Sequence, residues 1–127
     1  MDINGMMPLP DHAMFEALLR PRGNRPSLED VNVPYSPWVV VSFSAKWCGP
    51  CKALDKKSLV QYTPRVKWYS VDVDENTTTL GYCSLRSIPS FVVLKDGVFL
   101  DRKSGAGSAE EVLQWLESLG VPLLQWL

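Results

Sequence analysis

The residues best suited to chemistry in this chain of 127 residues are Cys48 and Cys51, which are separated by two residues. This spacing brings two sulfur atoms close enough to form a disulfide, so the pair could be oxidised and reduced in exchange with other thiols. The same spacing also occurs in half of a zinc site, which needs two further ligands. Only Cys83 and His12 remain for that purpose, at unsuitable positions in the sequence, so we expect no metal.

The cysteine pair is expected where a strand meets a helix. Residues 38–44, WVVVSFS, are β-branched or aromatic and almost continuously apolar, which is typical of a strand covered on both faces. Residues 51–62, CKALDKKSLVQY, predict a helix that has Cys51 in its first turn. A helix N-terminus carries partial positive charge and unpaired N–H groups, which would stabilise a thiolate at Cys48. The pKa of Cys48 should therefore lie below the value of about 8.5 of a free thiol.

The two residues between the cysteines suit this chemistry. Pro50 has a backbone angle suited to the start of a helix and needs no N–H partner there. Gly49 has no side chain and lets another polypeptide approach. A Cys48 thiolate could then attack a disulfide, and Cys51 could resolve the mixed disulfide that forms.

The rest of the sequence predicts helices and strands that alternate and end in a hairpin and a helix. A first helix over 11–20 has Asp11 as its N-cap and an apolar stripe of Met14, Phe15, Leu18 and Leu19. The later predicted elements are a strand over 66–73, a helix over 76–85, a hairpin over 91–101 around Lys95-Asp96-Gly97, and a helix over 108–120 capped by Ser108. This order predicts an α/β fold, a mixed sheet with helices on both faces.

Composition excludes several classes of function. The formal net charge is −1 and the charges are interspersed, which does not favour binding to nucleic acid. No apolar run approaches the roughly 18 residues of a membrane span, and the N-terminus lacks the pattern of a secretory signal. We therefore expect a cytoplasmic protein with no membrane association. Three cysteines make a poor disulfide framework.

The stretch VVVSFSAKWCGPCK (39–52) resembles the active-site region of the thioredoxin family, whose hexapeptide is matched at every position by Trp47-Cys48-Gly49-Pro50-Cys51-Lys52. Similar motifs follow in order: VDVDEN at 71–76, Ile88-Pro89-Ser90, Lys95-Asp96-Gly97 and Gly105-Ala106. The resemblance spans residues 38–119 and implies a thioredoxin fold. We expect a single domain over 1–127, with a divergent N-terminal helix and loop over 1–37 and an apolar C-terminal tail over 120–127.

The resemblance also implies roles for individual residues. Cys48 would be the exposed nucleophile and Cys51 the buried resolving cysteine. Pro89 would follow a cis peptide bond beside the disulfide. The substrate-binding surface would be formed by Trp47, Gly49, Pro50, Ile88, Pro89 and Gly105.

The same resemblance implies the partners of a protein-disulfide reductase that maintains cell redox homeostasis. No cofactor would be bound, and electrons would come from NADPH through a separate thioredoxin reductase. Substrates would be disulfide-containing proteins, with peroxiredoxin and ribonucleotide reductase as candidates. We expect a monomer, with a weak dimer as the alternative.

The chain departs from the family pattern near the site. Ser42 stands where many members have a buried Asp that takes the proton of the resolving cysteine, and Ser70 stands where some have a Lys. We expect slower deprotonation of Cys51, through water and Ser42, with Lys52 as a further modulating residue. Lys56 replaces a proline that kinks the helix after the cysteines, so we expect a straighter helix.

Other segments leave alternatives open. No convincing first strand precedes residue 11, although INGMMPL could form a ragged edge, and 21–37 reads as an ordered loop. The tail 121–127 packs back on the domain or contacts a partner. Cys83 is expected to be an inert buried thiol. The chain could also be a binding subunit that docks through Trp47 and Ile88–Pro89, or a dedicated electron donor to one client enzyme.

Overall fold

The computed structural model describes residues 4–19 and 37–124. The elements are β1 (Met7–Pro8), α1 (His12–Glu16), β2 (Trp38–Ser44), α2 (Gly49–Ala53), α3 (Lys56–Gln61), β3 (Val66–Asp72), α4 (Thr79–Tyr82), β4 (Ser90–Lys95), β5 (Val98–Ser104) and α5 (Ala109–Ser118). The loop expected over 21–37 lies outside the described residues except for Pro37. None of the described helices is long and apolar enough to cross a bilayer.

The five strands form one mixed sheet in the order β1-β3-β2-β4-β5. The central strand β2 runs parallel to β3, with Ser42 opposite Ser70, and antiparallel to β4, with Ser42 opposite Phe91. The ragged N-terminal edge is a two-residue strand that pairs with β3 through Met7 and Pro8. The predicted α/β class with a mixed sheet is therefore confirmed.

Apolar side chains cover both faces of this sheet. On one face Trp38 and Val40 of β2 pack with Leu59 of α3 and Leu116 of α5, in what we call the α3–α5 layer. On the other face alternate residues of the same strand, with Val41 and Phe43 at the centre, pack around Phe15 of α1 in what we call the α1–α4 layer. The nearly continuous apolar run of β2 follows from this burial on both sides.

The prediction of one straight helix over 51–62 is wrong, because the segment forms two helices, α2 and α3. Leu54 has extended backbone angles (φ −76°, ψ 128°) and ends α2, and Asp55 begins α3 as its N-cap. The Asp55 carboxylate accepts hydrogen bonds from the Ser58 backbone N–H at 3.1 Å and from the Ser58 hydroxyl at 2.7 Å. These bonds lower the pKa of Asp55. The helix is interrupted without a proline because a capping side chain starts a new helix at Lys56.

The first helix is shorter than the predicted 11–20. The Asp11 carboxylate does cap α1, accepting from the Met14 N–H at 2.9 Å, but the α-helix ends at Glu16. Leu18 and Leu19 continue it as a turn, each donating its N–H to the residue three positions earlier. The predicted apolar stripe is wrong at Met14, whose side chain is exposed, because the buried face of this short helix is centred on Phe15.

The predicted helix over 76–85 is reduced to the four residues of α4, Thr79–Tyr82. The side chain of Asn76 limits it at the N-terminal end, accepting from the backbone N–H groups of Thr78 and Thr79. After the helix, Ser84 has a positive φ of 60° and turns the chain away. Local side-chain bonds to the backbone therefore replace part of the helix.

The hairpin and the last helix form as predicted, within a few residues. Asp96 and Gly97 both have positive φ angles, 54° and 79°, as a tight two-residue hairpin turn requires. Ser108 caps α5 by accepting from the Glu111 N–H at 3.1 Å. The Glu111 carboxylate accepts from the Gly107 N–H at 3.4 Å, one residue before the position expected in a capping box.

The beginning of the C-terminal tail packs back on the domain. Val121 is 3% exposed and lies in the α3–α5 layer, and Leu123 packs against the same layer. Leu124 donates its backbone N–H to the Tyr62 carbonyl at 2.7 Å. The alternative of an exposed tail is wrong for residues 121–123, whereas residues 125–127 lie outside the described part.

Candidate active site

Cys48 and Cys51 form a disulfide at the point where β2 leads into α2. The chain turns sharply after β2, and the Cys48 N–H donates to the Ala45 carbonyl at 3.1 Å. Cys51 then lies within the first turn of α2, 5.3 Å from Cys48 between Cα atoms. The strand and the helix thus hold both cysteines in the geometry that a reversible disulfide requires.

The backbone around Cys48 favours negative charge on its sulfur. Cys48 is the N-cap of α2, and its Sγ accepts a hydrogen bond from the Cys51 N–H at 3.2 Å. A thiolate is a stronger acceptor than a disulfide sulfur, so this N–H stabilises the anion once the disulfide is reduced. Pro50 lies in the first turn of the helix, where its missing N–H costs no hydrogen bond.

The expectation of an exposed Cys48 is wrong for this disulfide form. Cys48 is 4% exposed and Cys51 is 2% exposed. The two cysteines pack together with Ala45, and Val73 and Ile88 cover them from the side. Both cysteines are therefore shielded from solvent in this structure.

The loop before β4 lies against the disulfide. The peptide bond between Ile88 and Pro89 is cis, as the family resemblance implied, and Ile88 contacts the cysteines. The Pro89 carbonyl accepts from the backbone N–H groups of Gly105 and Ala106, at 3.0 and 3.2 Å. Gly105 has a φ of 70°, which favours glycine. These bonds tie the loop to the end of β5 and place Gly105 beside it.

Trp47 is the most exposed large hydrophobic residue of the site, at 67%. Its indole Nε1–H donates to an Asp74 carboxylate oxygen at 2.7 Å, which ties the ring to the turn that follows β3. Sequence analysis assigned no role to Asp74. Its position in the VDVDEN motif at 71–76 was visible, but the partner of its carboxylate was not.

Ser42 and Ser70 lie opposite each other on the neighbouring strands β2 and β3. Ser42 is completely buried, and its Oγ has no hydrogen-bond partner among the described residues. Ser42 lies on the same face of β2 as Trp38 and Val40, which the α3–α5 layer covers, so apolar side chains surround it. Lys52 is exposed on α2, next to Cys51.

Cys83 lies apart from the dithiol, in the α1–α4 layer, and it is 3% exposed. Burial raises the pKa of its thiol to about 11, with a smaller opposing effect from Arg102. A thiol with this pKa remains protonated at neutral pH and is a poor nucleophile.

Comparison with known proteins settles the family. The thioredoxin family model matches residues 29–118, which include the whole cysteine motif and the cis-proline loop. The chain belongs to the thioredoxin family. Its members are protein-disulfide oxidoreductases, so the vicinal pair Cys48–Cys51 is a dithiol–disulfide oxidoreductase centre.

Individual relatives agree with this assignment. Thioredoxin H-type 1 of Nicotiana tabacum is 38% identical over 86 residues, which cover 66% of this chain and 68% of the relative. The structure of Fasciola hepatica thioredoxin has a TM-score of 0.65 at 32% identity and covers 91% of this chain and 97% of its own. Oxidised mitochondrial thioredoxin 3 of Saccharomyces cerevisiae has a TM-score of 0.70 at 23% identity, over 89% of this chain and 94% of its own, and shows the shared fold.

Proposed function

We propose that this protein reduces disulfides of other proteins, with Cys48 as nucleophile and Cys51 as resolving cysteine. The observation that carries the assignment is the position of Cys48 as N-cap of α2, with its Sγ accepting from the Cys51 N–H. A thiolate stabilised there attacks one sulfur of a substrate disulfide, forms a mixed disulfide and releases the first substrate thiolate. Cys51, on losing its proton, attacks Cys48 and releases the second substrate thiolate. The Cys48–Cys51 bond has then formed, the substrate bond has broken, and two electrons and two protons have passed to the substrate.

The proposed docking surface surrounds the disulfide. Trp47 offers an exposed aromatic ring whose position is held by Asp74. Gly49 has open space where a Cβ would stand, so a substrate backbone can approach the disulfide there. The cis-proline loop supplies the backbone of Ile88 for pairing with an extended substrate segment. Gly105, which is exposed, completes the surface on the side of β5, and buried Pro89 holds the loop that presents Ile88.

We further propose that the disulfide is re-reduced by a separate NADPH-dependent thioredoxin reductase, with no cofactor bound to the chain itself, in the cytoplasm. Substrates are disulfide-containing proteins, among which a peroxiredoxin and a ribonucleotide reductase remain candidates. These proposals follow from the family and from the Gly49-Pro50 pair, which favours a reductant.

The test is reduction of insulin disulfides driven by NADPH and a thioredoxin reductase, with Cys48→Ser as the control. Turnover by the wild type that disappears in Cys48→Ser is the expected result. If the wild type is inactive with this reductase and also with dithiothreitol as electron source, the reductase proposal fails and the binding-subunit alternative is favoured.

Ser42 gives a second test, of the rate of the resolving step. We propose that deprotonation of Cys51 is slow because buried Ser42, whose hydroxyl is no base at neutral pH, stands where the family resemblance implies a carboxylate that accepts this proton. Replacement Ser42→Asp is expected to speed insulin reduction at neutral pH, with Ser42→Asn as a neutral control of similar size. An Asp variant that folds but reduces insulin no faster than the Asn variant would show that the missing base does not limit the rate.

A further inference from the structure

Two exposed serine side chains meet beside the cis-proline loop. Ser87 directly precedes Ile88, and Ser104 is the last residue of β5. Their Oγ atoms are 2.8 Å apart, so one hydroxyl donates a hydrogen bond to the other. We call Ser87 and Ser104 the hydroxyl pair. Both side chains face solvent, so an incoming molecule can reach them.

The hydroxyl pair lies at the proposed docking surface. Ile88, the residue after Ser87, packs against both cysteines of the disulfide. Gly105 donates its N–H to the Pro89 carbonyl at 3.0 Å. Apart from the chain neighbours of Gly105, the one described atom within 4 Å of a Cβ built on it is the Ser87 Oγ, at 3.8 Å. A substrate segment that reaches Gly105 and the Ile88 backbone therefore passes the hydroxyl pair.

Other bonds already hold the loop that carries Ser87. The Ser87 carbonyl accepts a hydrogen bond from the hydroxyl of Ser90, which is buried. Ser90 also pairs with Ser104 across strands β4 and β5. Two backbone N–H groups that follow β5 donate to the Pro89 carbonyl and join the same two segments. An exposed bond between two hydroxyls adds little to this support, so the hydroxyl pair is held in a fixed place and remains available for recognition.

The hydroxyl pair has hydrogen-bonding capacity that the described residues do not use. Each serine hydroxyl has one O–H donor and two acceptor lone pairs. The bond within the pair uses one donor and one lone pair, and no other hydrogen bond among the described residues involves either Oγ. One O–H donor and the remaining lone pairs therefore stand side by side at the surface.

A side-chain amide matches this capacity. The amide of Asn or Gln has an oxygen that accepts and an NH2 group that donates, so it can bond to both hydroxyls while their mutual bond stays intact. A carboxylate only accepts, so it would need both hydroxyls to turn toward it, which breaks that bond and partly dehydrates a charge. Lys103, next to Ser104, does not balance such a charge, because its ammonium pairs with Glu111 at 3.2 Å.

Resting on the proposed reductase function, we propose that the hydroxyl pair selects protein disulfides that have Asn or Gln next to the cystine. The cystine lies over Cys48, the extended segment pairs with the Ile88 backbone, and a flanking amide reaches the hydroxyl pair. The amide gains two neutral hydrogen bonds there, each with a small net contribution to binding. The hydroxyl pair thus affects which substrate is bound and leaves the exchange between sulfur atoms unchanged.

The experiment compares three short single-cysteine peptides, each joined to a second copy of itself by a disulfide, with Gln, Met or Glu on both sides of the cysteine. Met is similar in length to Gln but lacks the amide. The fully reduced protein, freed of reductant, is mixed with excess peptide, and its rate of oxidation is measured by acid quenching and alkylation. Each rate is divided by the rate of the same peptide with dithiothreitol, which corrects for the intrinsic reactivity of the peptide disulfide.

The Gln peptide is expected to react about two- to tenfold faster than the Met peptide in corrected rate, because it gains hydrogen bonds at the hydroxyl pair. The Glu peptide is expected to react no faster than the Met peptide, because its carboxylate has no donor to offer.

Variants separate recognition from support of the loop. Ser87→Ala and Ser104→Ala are each expected to lower the Gln-to-Met ratio toward one, whereas Ser87→Thr, which keeps a hydroxyl, retains a higher ratio than Ser87→Ala. A purely structural role would slow all peptides alike and leave the ratio unchanged. Ser118→Ala is the matched control, because Ser118 is also an exposed serine with a bonded hydroxyl, at the opposite end of α5 from the segment that follows Ser104. It is expected to leave the ratio unchanged.

The outcomes distinguish this proposal from the function on which it rests. If the Gln and Met peptides react at equal corrected rates, or if Ser118→Ala lowers their ratio as much as Ser87→Ala, selection by the hydroxyl pair is overturned and the reductase function stands. A Glu peptide that reacts faster than the Gln peptide would show a preference for anions and would also overturn it. If none of the three peptides is reduced, the reductase function fails and this proposal fails with it.

Discussion

All three cysteines of this chain have low solvent exposure, but Cys48 and Cys83 differ in chemistry. Cys48 accepts an N–H at the start of a helix, whereas Cys83 lies among aliphatic and aromatic side chains of the α1–α4 layer. The first environment favours the thiolate and the second opposes it. Reactivity at the residue scale therefore depends on the groups around each thiol, above all on backbone N–H groups. In the sequence, the spacing of Cys48 and Cys51 and the predicted start of a helix indicated which thiols would react.

The thiol of Cys83 predicts a change of stability at high pH. Burial raises its pKa from the ordinary 9.0 to about 11 in the folded protein. Below pH 9 the thiol is protonated in both states, so its contribution to the free energy of unfolding is fully present. Between pH 9 and 11 the unfolded chain loses this proton while the folded chain keeps it, so the contribution is lost as the pH rises.

Urea denaturation of the wild type and of Cys83→Ala across this pH range measures the effect. The wild type is expected to lose more stability than Cys83→Ala between pH 9 and pH 11, because other titrating groups are common to both proteins. Parallel decline of the two proteins would show that the thiol ionises alike in the folded and unfolded states.

The buried hydroxyl of Ser42 makes a second prediction at this scale. Because its Oγ has no partner among the described residues, Ser42→Ala removes a desolvated polar group without breaking a bond. We expect the free energy of unfolding to stay the same or to rise by up to about 1 kcal/mol. Chemical denaturation of the wild type and of Ser42→Ala measures this change in the free energy of unfolding.

Thr63→Val is the control, since Thr63 is equally buried but accepts from Trp68 Nε1 at 2.7 Å and donates to the Leu59 carbonyl. That change should cost about 1–3 kcal/mol because it leaves Trp68 unpaired. A loss at Ser42→Ala as large as that at Thr63→Val would mean that the Ser42 hydroxyl is hydrogen-bonded after all.

At the scale of elements, the break between α2 and α3 shows where sequence reasoning fails. The apolar pattern of residues 51–62 predicted one helix, and the absence of proline suggested a straight one. The pattern did not distinguish Asp55 as an exposed helical residue from Asp55 as the N-cap of a second helix, because both place it on the surface. Strand β2 was predicted with its bounds, since burial on both faces leaves an apolar run that polar segments cannot imitate.

This break predicts tolerance of proline at Lys56. Lys56 is the first residue of α3, where proline has a suitable backbone angle, and its N–H makes no bond within the helix but donates to the Leu54 carbonyl at 3.0 Å. Because one backbone hydrogen bond is lost, Lys56→Pro is expected to lower the free energy of unfolding by about 1 kcal/mol. Gln61→Pro, at an exposed position in the last turn of the same helix, should cost about 3 kcal/mol. Thermal denaturation of both variants measures these changes in stability. A loss of stability in Lys56→Pro as large as that in Gln61→Pro would contradict the break at Leu54.

At the scale of the whole molecule, two apolar layers hold the sheet so that β2, α2 and the cis-proline loop meet at the disulfide. The sequence predicted the mixed sheet and the cysteine site because alternating elements and the motif at 47–52 are local signals. It did not predict the Trp47–Asp74 hydrogen bond or the covering of Cys48. Those contacts form between segments that are far apart in the chain, so local sequence patterns do not predict them.

The tail contributes to the stability of this assembly. Truncation after Gly120 removes Val121 and Leu123 from the α3–α5 layer and the bond from Leu124 to Tyr62. We expect it to lower the free energy of unfolding by about 2–3 kcal/mol, the value for exposing one or two aliphatic side chains. Truncation after Leu124 is the matched control and should cost much less. If the chain truncated after Gly120 were as stable as the wild type, the packing of the tail would be contradicted.

The central claim is that Cys48 and Cys51, and not Cys83, carry electrons to a substrate disulfide. It is tested most directly by mixing the fully reduced chain, freed of reductant, with excess insulin, then quenching in acid, alkylating and mapping the cysteines by mass spectrometry. The predicted result is a Cys48–Cys51 disulfide, an alkylated Cys83, and two new thiols on insulin for each protein molecule oxidised. An unchanged dithiol, or a disulfide that includes Cys83, would contradict the account.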